Sequence, residues 1–294
     1  MTSHPQAPSV PATAGAQPRT ETGTPSGSPH LVPANPEPAD PAAREGRASE
    51  PILLTALRLS TFDGAVHLTN ASGFFFERET GLFLVTSRHV LLDAISGHRP
   101  DRVVVELHTD RQNLTVSTGF SIPLYRNGQP LWREGIDGGG MVDAAVIAID
   151  GAALPETTAY RAFTPDHLVR DGDRVEIGCT LMVVGFPLGF HDTLHHMPVV
   201  RRAALASSFG LRFQGQGYFL TDARTHRGTS GAPVVMPVDR AQDGRRTALG
   251  DVPWLLLGIH SSRLDLGSRD LAQDEALGLN CTWYADILLT LTDP

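Results

Sequence analysis

The chain has 294 residues, a formal charge of −8 at pH 7, two cysteines, and 24 cations that are all arginine. The acidic balance leaves no basic footprint for nucleic acid, and the lack of lysine excludes Schiff-base and Ser-Lys chemistry. Cys179 and Cys281 lie far apart with no C-x-x-C pair, which speaks against a thiolate metal site and predicts two reduced thiols.

No run reaches the roughly 18 apolar residues of a membrane span. The opening "MTSHPQAPSV" has neither a basic nor an apolar signal region. The expectation is a cytoplasmic protein with no membrane partner. Residues 1 to about 50 hold 10 of the 22 prolines and four bulky apolar residues, Met1, Val10, Leu31 and Val32. Such a segment buries too little surface to offset its ordering entropy, so a disordered Pro/Ala-rich tail is predicted there.

From Pro51 short apolar runs recur: "PILLTALRLS", "GFFFER", "LFLVTS", "RVVVELH", "AAVIAI", "LMVVGFP", "GYFLTDA", "APVVM", "WLLLGIHSS" and "LGLNCTWYA". Most are four to eight residues long, rich in Val, Ile, Leu and Phe, and bounded by Gly, Asp, Asn or Pro. That pattern predicts an all-β barrel or sandwich. Helical periodicity is scarce. "HVLLDAI" allows a turn or two, and "ADILLTLTD" allows a closing helix with Ile287, Leu288 and Leu291 on one face.

Three motifs carry chemistry. In "LVTSRHVLLDA" a buried strand ends at Thr86-Ser87 and His89 follows in a short helical turn. In "GGGMVDAAVIAID" Asp143 opens an apolar strand, where a carboxylate can be buried yet reach an imidazole N–H. Asp101 and Asp110 are rivals for this role, but neither precedes so good a buried strand. In "RGTSGAPVV" Gly228 and Gly231 flank Thr229-Ser230 and allow a turn that aims backbone N–H groups into a pocket. A serine hydroxyl needs a base to take its proton, histidine supplies one near neutral pH, and a buried aspartate fixes the imidazole tautomer. The N–H groups of Gly228 and Ser230 are the candidate oxyanion donors. An α/β-hydrolase elbow is rejected: it needs G-x-S-x-G, position 232 is Ala, and Pro233 with two valines disfavours a following helix.

With these residues in the order His89, Asp143, Ser230, the sequence resembles the trypsin-like (chymotrypsin-fold) serine peptidases. "TSRHV", "VDAAVIAI" and "GTSGAPVV" are similar to that family's three signatures, and "TDARTHRGTSGAP" and "VVGFPLG" resemble the bacterial HtrA-type branch. The resemblance covers about residues 51 to 290. It implies two antiparallel six-stranded β-barrels, about 51–155 and 172–294, a short C-terminal helix, and peptide-bond hydrolysis through an acyl-enzyme without a cofactor. Thr229 stands where trypsin has an acidic residue, so switching on by a cleaved N-terminus is not implied. The expectation is a catalytic domain without a PDZ-like region after the closing helix.

The pocket for the substrate side chain before the scissile bond (P1) would involve Arg224, Thr225, His226 and the later strand "LLLGIHSSR". Thr225 and the "GIH" of Gly258–His260 resemble glutamyl endopeptidases, which implies that Thr225 and His260, with Arg224 if it turns inward, bind a Glu or Gln side chain. "HDTLHH" (His191–His196) reads as a solvated loop rather than a metal site, so no metal is expected. The expected partner is a protein or peptide substrate. The alternative function is a catalytically silent or partner-activated module of a bacterial stress or defence system, with an activating protein of unknown identity.

Overall fold

The computed structural model describes residues 50–239, 243–261 and 278–294. The expected N-terminal tail, apart from Glu50, lies outside them. The strands run in chain order as β1 (Ala56–Asp63), β2 (Val66–Arg78), β3 (Gly81–Thr86), β4 (Arg102–His108), β5 (Ser117–Pro123), β6 (Tyr125–Arg126), β7 (Gln129–Pro130), β8 (Trp132–Asp137), β9 (Gly140–Ile149) and β10 (Ala162–Phe163). After a connection come β11 (Thr180–Gly185), β12 (Val199–Ala204), β13 (Tyr218–Thr221), β14 (Pro233–Pro237), β15 (Trp254–Ser261) and β16 (Asn280–Tyr284). The described helices are short: α1 (Arg88–Leu91), α2 (Asp243–Ala248) and α3 (Ile287–Leu291). None is long and apolar enough to cross a membrane.

The described strands form two large sheets and one two-stranded ribbon, an all-β arrangement. The first has the order β5-β4-β1-β2-β3-β9-β8, with β10 added in parallel to β2, and so holds eight strands where six are expected. One of the extra strands has a local cause: the Ala162-Phe163 dipeptide pairs with Phe75 and Phe76. The hairpin β6–β7, between β5 and β8, stands outside this sheet as its own two-stranded ribbon. The second sheet has the expected six strands, in the order β12-β11-β14-β15-β16-β13. Its ends meet, because Leu205 bridges Thr221 and the Ala206 N–H donates to the Leu220 carbonyl at 2.8 Å.

Each barrel has its own apolar centre. Leu59, Leu84, Val103, Val105 and Ile147 fill the first, and Leu181, Val183, Val234, Leu255 and Leu257 the second. A third cluster joins them: Phe74, Phe76, Val85 and Val146 from the first sheet meet Val184, Val235, Leu256 and Ile259 from the second. This explains the unbroken "GFFF" run. Phe75 enters the barrel while Phe74 and Phe76 enter the seam, so β2 is buried on both faces and has no polar alternation to show. Each of these wholly buried rings contributes roughly 1.5–3 kcal/mol.

The "HVLLDAI" segment forms the single turn α1, and α3 buries Leu288 and Leu291. Cys179 and Cys281 are both free thiols. Burial pushes the Cys281 thiol up to about 12, which keeps it protonated and unreactive.

Candidate active site

The site lies along the seam where the ends of both barrels touch. Strand β9 pairs with β3 in a register that sets Ala145 opposite Thr86. Two residues before Ala145, Asp143 therefore falls beside the chain that leaves β3 for α1. Val142 and Ala144 face the seam cluster, which fixes the strand on either side of the carboxylate. His89 is held at two points: its backbone N–H donates to Asp143 Oδ1 at 2.9 Å, and its ring Nδ1 lies 2.7 Å from Oδ2. A carboxylate can only accept, so the Nδ1 carries the proton and the Nε2 lone pair is directed away from Asp143.

Ser261, at the end of β15, donates its hydroxyl to Asp143 Oδ2 at 2.8 Å. Burial alone raises the Asp143 carboxyl. The charge and two hydrogen bonds of His89, with the Ser261 bond, outweigh that and hold it below the usual range. Asp143 thus stays a carboxylate beside His89. The rivals are engaged elsewhere: Asp101 accepts the Gly64 N–H at 2.9 Å, and Asp110 caps Gln112 and Asn113 in its own loop.

Ser230 stands on the turn before β14 and is nearly buried. Its neighbours bind it to the first barrel. The Ser72 N–H donates to the Ser230 carbonyl at 3.0 Å. The Gly231 N–H donates to the His260 carbonyl at 2.8 Å, and the Ser87 hydroxyl donates to the same oxygen at 3.1 Å. One carbonyl therefore links the residue after Ser230 to the residue two before His89. The approach is close enough that a methyl group on Gly231, where φ is +86°, would run into Ser72 O, Thr86 Oγ1 and Ser87 N.

Gly228, at φ +91°, also passes too close to the Phe186–Gly189 turn for a side chain. Ser72 clamps this second contact: its hydroxyl donates to the Gly228 carbonyl at 2.8 Å and accepts the Phe186 N–H at 3.0 Å. The turn that carries the candidate oxyanion donors Gly228 and Ser230 is thus fastened to β2 from both ends.

The expected pocket residues separate. Thr225 donates its hydroxyl to Asn280 Oδ1 at 2.7 Å. His260 is wholly buried, and neither ring nitrogen has a hydrogen-bond partner. Burial, reinforced by repulsion from His89, drives its pKa down to about 3, so the ring is neutral. Arg224 does not turn inward. It is exposed and lines an outer groove of about 530 Å³ with Thr180, Arg201, Arg202 and Asp222. A guanidinium keeps its hydration there, where burial without a carboxylate would be costly. His226 is exposed as well.

The "HDTLHH" loop docks against the first barrel rather than standing in solvent throughout. His108 Nε2 donates to the His195 carbonyl at 2.7 Å, and His196 Nδ1 sits 3.9 Å from Glu106. Among the described residues no group of three His, Cys, Asp or Glu side chains is placed to hold a metal ion.

Sequence reasoning missed Ser72, Ser261 and Asn280. Ser261 follows His260 directly, and period-two alternation from that strand was the one signal that set it on the opposite face. Ser72 and Asn280 open or interrupt apolar runs and have no local signature, since their partners are 156 and 55 residues away.

Two packed antiparallel sheets, a His-Asp pair on the first and a Gly-Thr-Ser-Gly turn on the second define the class of trypsin-like serine peptidases. The model of the trypsin-like peptidase domain matches residues 71–240, and the chain belongs to that family. Among solved structures it is similar to a serine endoprotease from Yersinia pestis, with 14% identity and a TM-score of 0.45 over 81% of this chain and 61% of that one. The chain thus spans about three fifths of that relative. No curated protein matches.

Proposed function

We propose that the chain is a serine endopeptidase whose triad is His89, Asp143 and Ser230. The observation that carries this is the double grip of Asp143 on His89, through the backbone N–H and Nδ1. It leaves Nε2 as the base, on a segment joined through the His260 carbonyl to the Ser230 turn. In the reaction His89 takes the Ser230 proton as Oγ attacks the scissile carbonyl. Asp143 stabilises the imidazolium that forms. The Gly228 and Ser230 N–H groups receive the oxyanion, and a donor of this kind contributes about 3–4 kcal/mol. His89 then returns the proton to the departing amine, and water hydrolyses the acyl-enzyme by the same steps in reverse. No cofactor enters this chemistry.

The resemblance to glutamyl endopeptidases supports Thr225 and His260, without the outward Arg224, as the residues that take a Glu or Gln side chain at P1. The HtrA-type branch has a similar pattern, in "TDARTHRGTSGAP" and "VVGFPLG".

The test is covalent labelling with a fluorophosphonate probe together with cleavage of a mixed peptide library. Wild-type protein labels at Ser230, and Ser230→Ala abolishes labelling and lowers turnover by on the order of 10⁵–10⁶-fold. Folded wild-type protein that neither labels nor cleaves, alone or in cell extract, overturns the reading.

A further inference from the structure

The second barrel closes over only part of β12. The closure stops at Ala204, whose carbonyl accepts the Asp222 N–H at 3.2 Å and whose N–H donates to Asp222 Oδ1 at 2.6 Å. Backbone groups point to alternate sides along an antiparallel strand. The N–H and C=O of Arg202 and Val200 therefore point the same way as those of Ala204, away from β11, and among the described residues no partner meets them. The chain after Asp222 would be that partner. In the register that sets Leu205 against Thr221, Arg224 would stand opposite Arg202. Instead the Thr225 N–H turns back to the Ala223 carbonyl at 2.9 Å, and Asn280 Nδ2 holds the same oxygen. The chain leaves the edge of β12, and a groove of about 530 Å³ opens there.

The groove is cationic, in a chain whose net charge is −8. Arg201, Arg202 and Arg224 line it and are exposed. Among the described residues none of the three forms an ion pair. Their one acidic neighbour in the groove is Asp222, whose Oδ1 already serves the Ala204 N–H. Arg202 also donates to the Thr180 hydroxyl at 3.1 Å, which holds it beside the groove. Successive side chains of a strand point to opposite faces, so Arg202 shares one face of β12 with Val200 and Arg201 stands on the other.

An open edge asks for donors and acceptors at the spacing of a strand. A peptide backbone supplies them, whereas a nucleic acid or a free phosphate answers only the charge. A second copy of the same edge is a poor occupant, because pairing would bring arginines against arginines. Consecutive acidic residues of an extended peptide fit instead. They send carboxylates to both faces, toward Arg202 on one and Arg201 on the other, with Arg224 across the groove, and guanidinium–carboxylate pairs are strong charge-assisted contacts. We propose that the open edge of β12 docks an extended acidic segment of a partner protein, which adds as a strand beside Val200 and Arg202 and sets its carboxylates against Arg201, Arg202 and Arg224. This surface lies apart from the proposed triad and does not depend on the peptidase reading.

The experiment measures fluorescence anisotropy of a fluorescein-labelled, end-capped Glu-Glu-Val-Glu-Glu peptide with the full chain carrying Ser230→Ala, so that no peptide is consumed. Saturable binding is expected, weakening as salt is raised to about 0.5 M because exposed charges are screened. The same peptide with Gln for Glu binds at least about tenfold more weakly, and Arg202→Glu or Arg224→Glu costs at least about tenfold as well. Val200→Pro removes an N–H that β11 does not use, so the melting temperature holds while binding is lost. N-methylation of alternate peptide amides tests the same edge without touching the protein, and it abolishes binding in one of its two registers. Absence of binding, affinity that the arginine variants do not move, or tighter binding of heparin or single-stranded DNA than of the peptide overturns the proposal. Full affinity of Val200→Pro and of both methylated peptides overturns strand addition. Each of these results leaves the peptidase reading standing, which fluorophosphonate labelling of wild-type protein decides separately.

Discussion

The two barrels hold opposite kinds of polar chemistry. On the first, the Asp143 carboxylate receives three donors, the His89 N–H, His89 Nδ1 and the Ser261 hydroxyl, the last lent by the second barrel. On the second, His260, Thr221 and Thr282 are buried with polar atoms that have no partner. A reacting base has to be held in one tautomer and one orientation before substrate arrives, so its hydrogen bonds are made within the protein. The unpaired groups of the second barrel carry a burial cost that only a further hydrogen-bonding partner would offset.

The contrast is open to attack, first where the largest effect is expected. Asp143→Asn should leave the fold intact and lower kcat by about 10⁴-fold, because the amide no longer selects the Nδ1–H tautomer. Steady-state kinetics at neutral pH check this, and a loss under about tenfold would remove Asp143 from the triad. Ser72→Ala comes next. It leaves the buried Phe186 N–H and Gly228 carbonyl without their shared hydroxyl. Thermal unfolding should show about 1–3 kcal/mol of lost stability. Loosening of the turn that carries Ser230 should lower kcat by about tenfold to a hundredfold with KM little changed.

The smallest effect concerns pH. An unfolded histidine titrates near 6.5, whereas buried His260 holds out to about 3. Between those values the unfolded chain binds a proton that the folded chain refuses, so His260 makes stability fall as pH falls, by up to ~1.4 kcal/mol per pH unit. Calorimetry on wild type and His260→Gln between pH 7 and 4.5 should show the shallower slope in the variant. Parallel curves would mean that His260 titrates normally and that its ring is not sealed in the second barrel.

Legibility in the sequence followed the range of the interactions. The all-β class, the apolar runs and the candidates His89, Asp143 and Ser230 are local signals: a short strand with turn residues on both sides, or a serine between glycines, is written within about ten residues. The eighth strand of the first sheet was not legible, because β10 is two residues long and owes its pairing to β2, far away in the chain. Arg224 and His260 make the same point. Nothing next to either residue tells whether its side chain faces water or the barrel, and the pairing of β15 with β16 decided it for His260.

The sequence by itself determined a β-protein with a histidine, an aspartate and a glycine-flanked serine in a fixed order, since strand period and turn chemistry are local properties of the chain. Only the tertiary structure decided that one carbonyl, that of His260, links the turns bearing Ser230 and His89. It alone decided that Ser72 clamps the turn that carries Ser230 and that Asn280 accepts a hydrogen bond from the Thr225 hydroxyl. Those arrangements depend on hydrogen-bond directions between strands far apart in the chain, which are fixed when two sheets pack and not before.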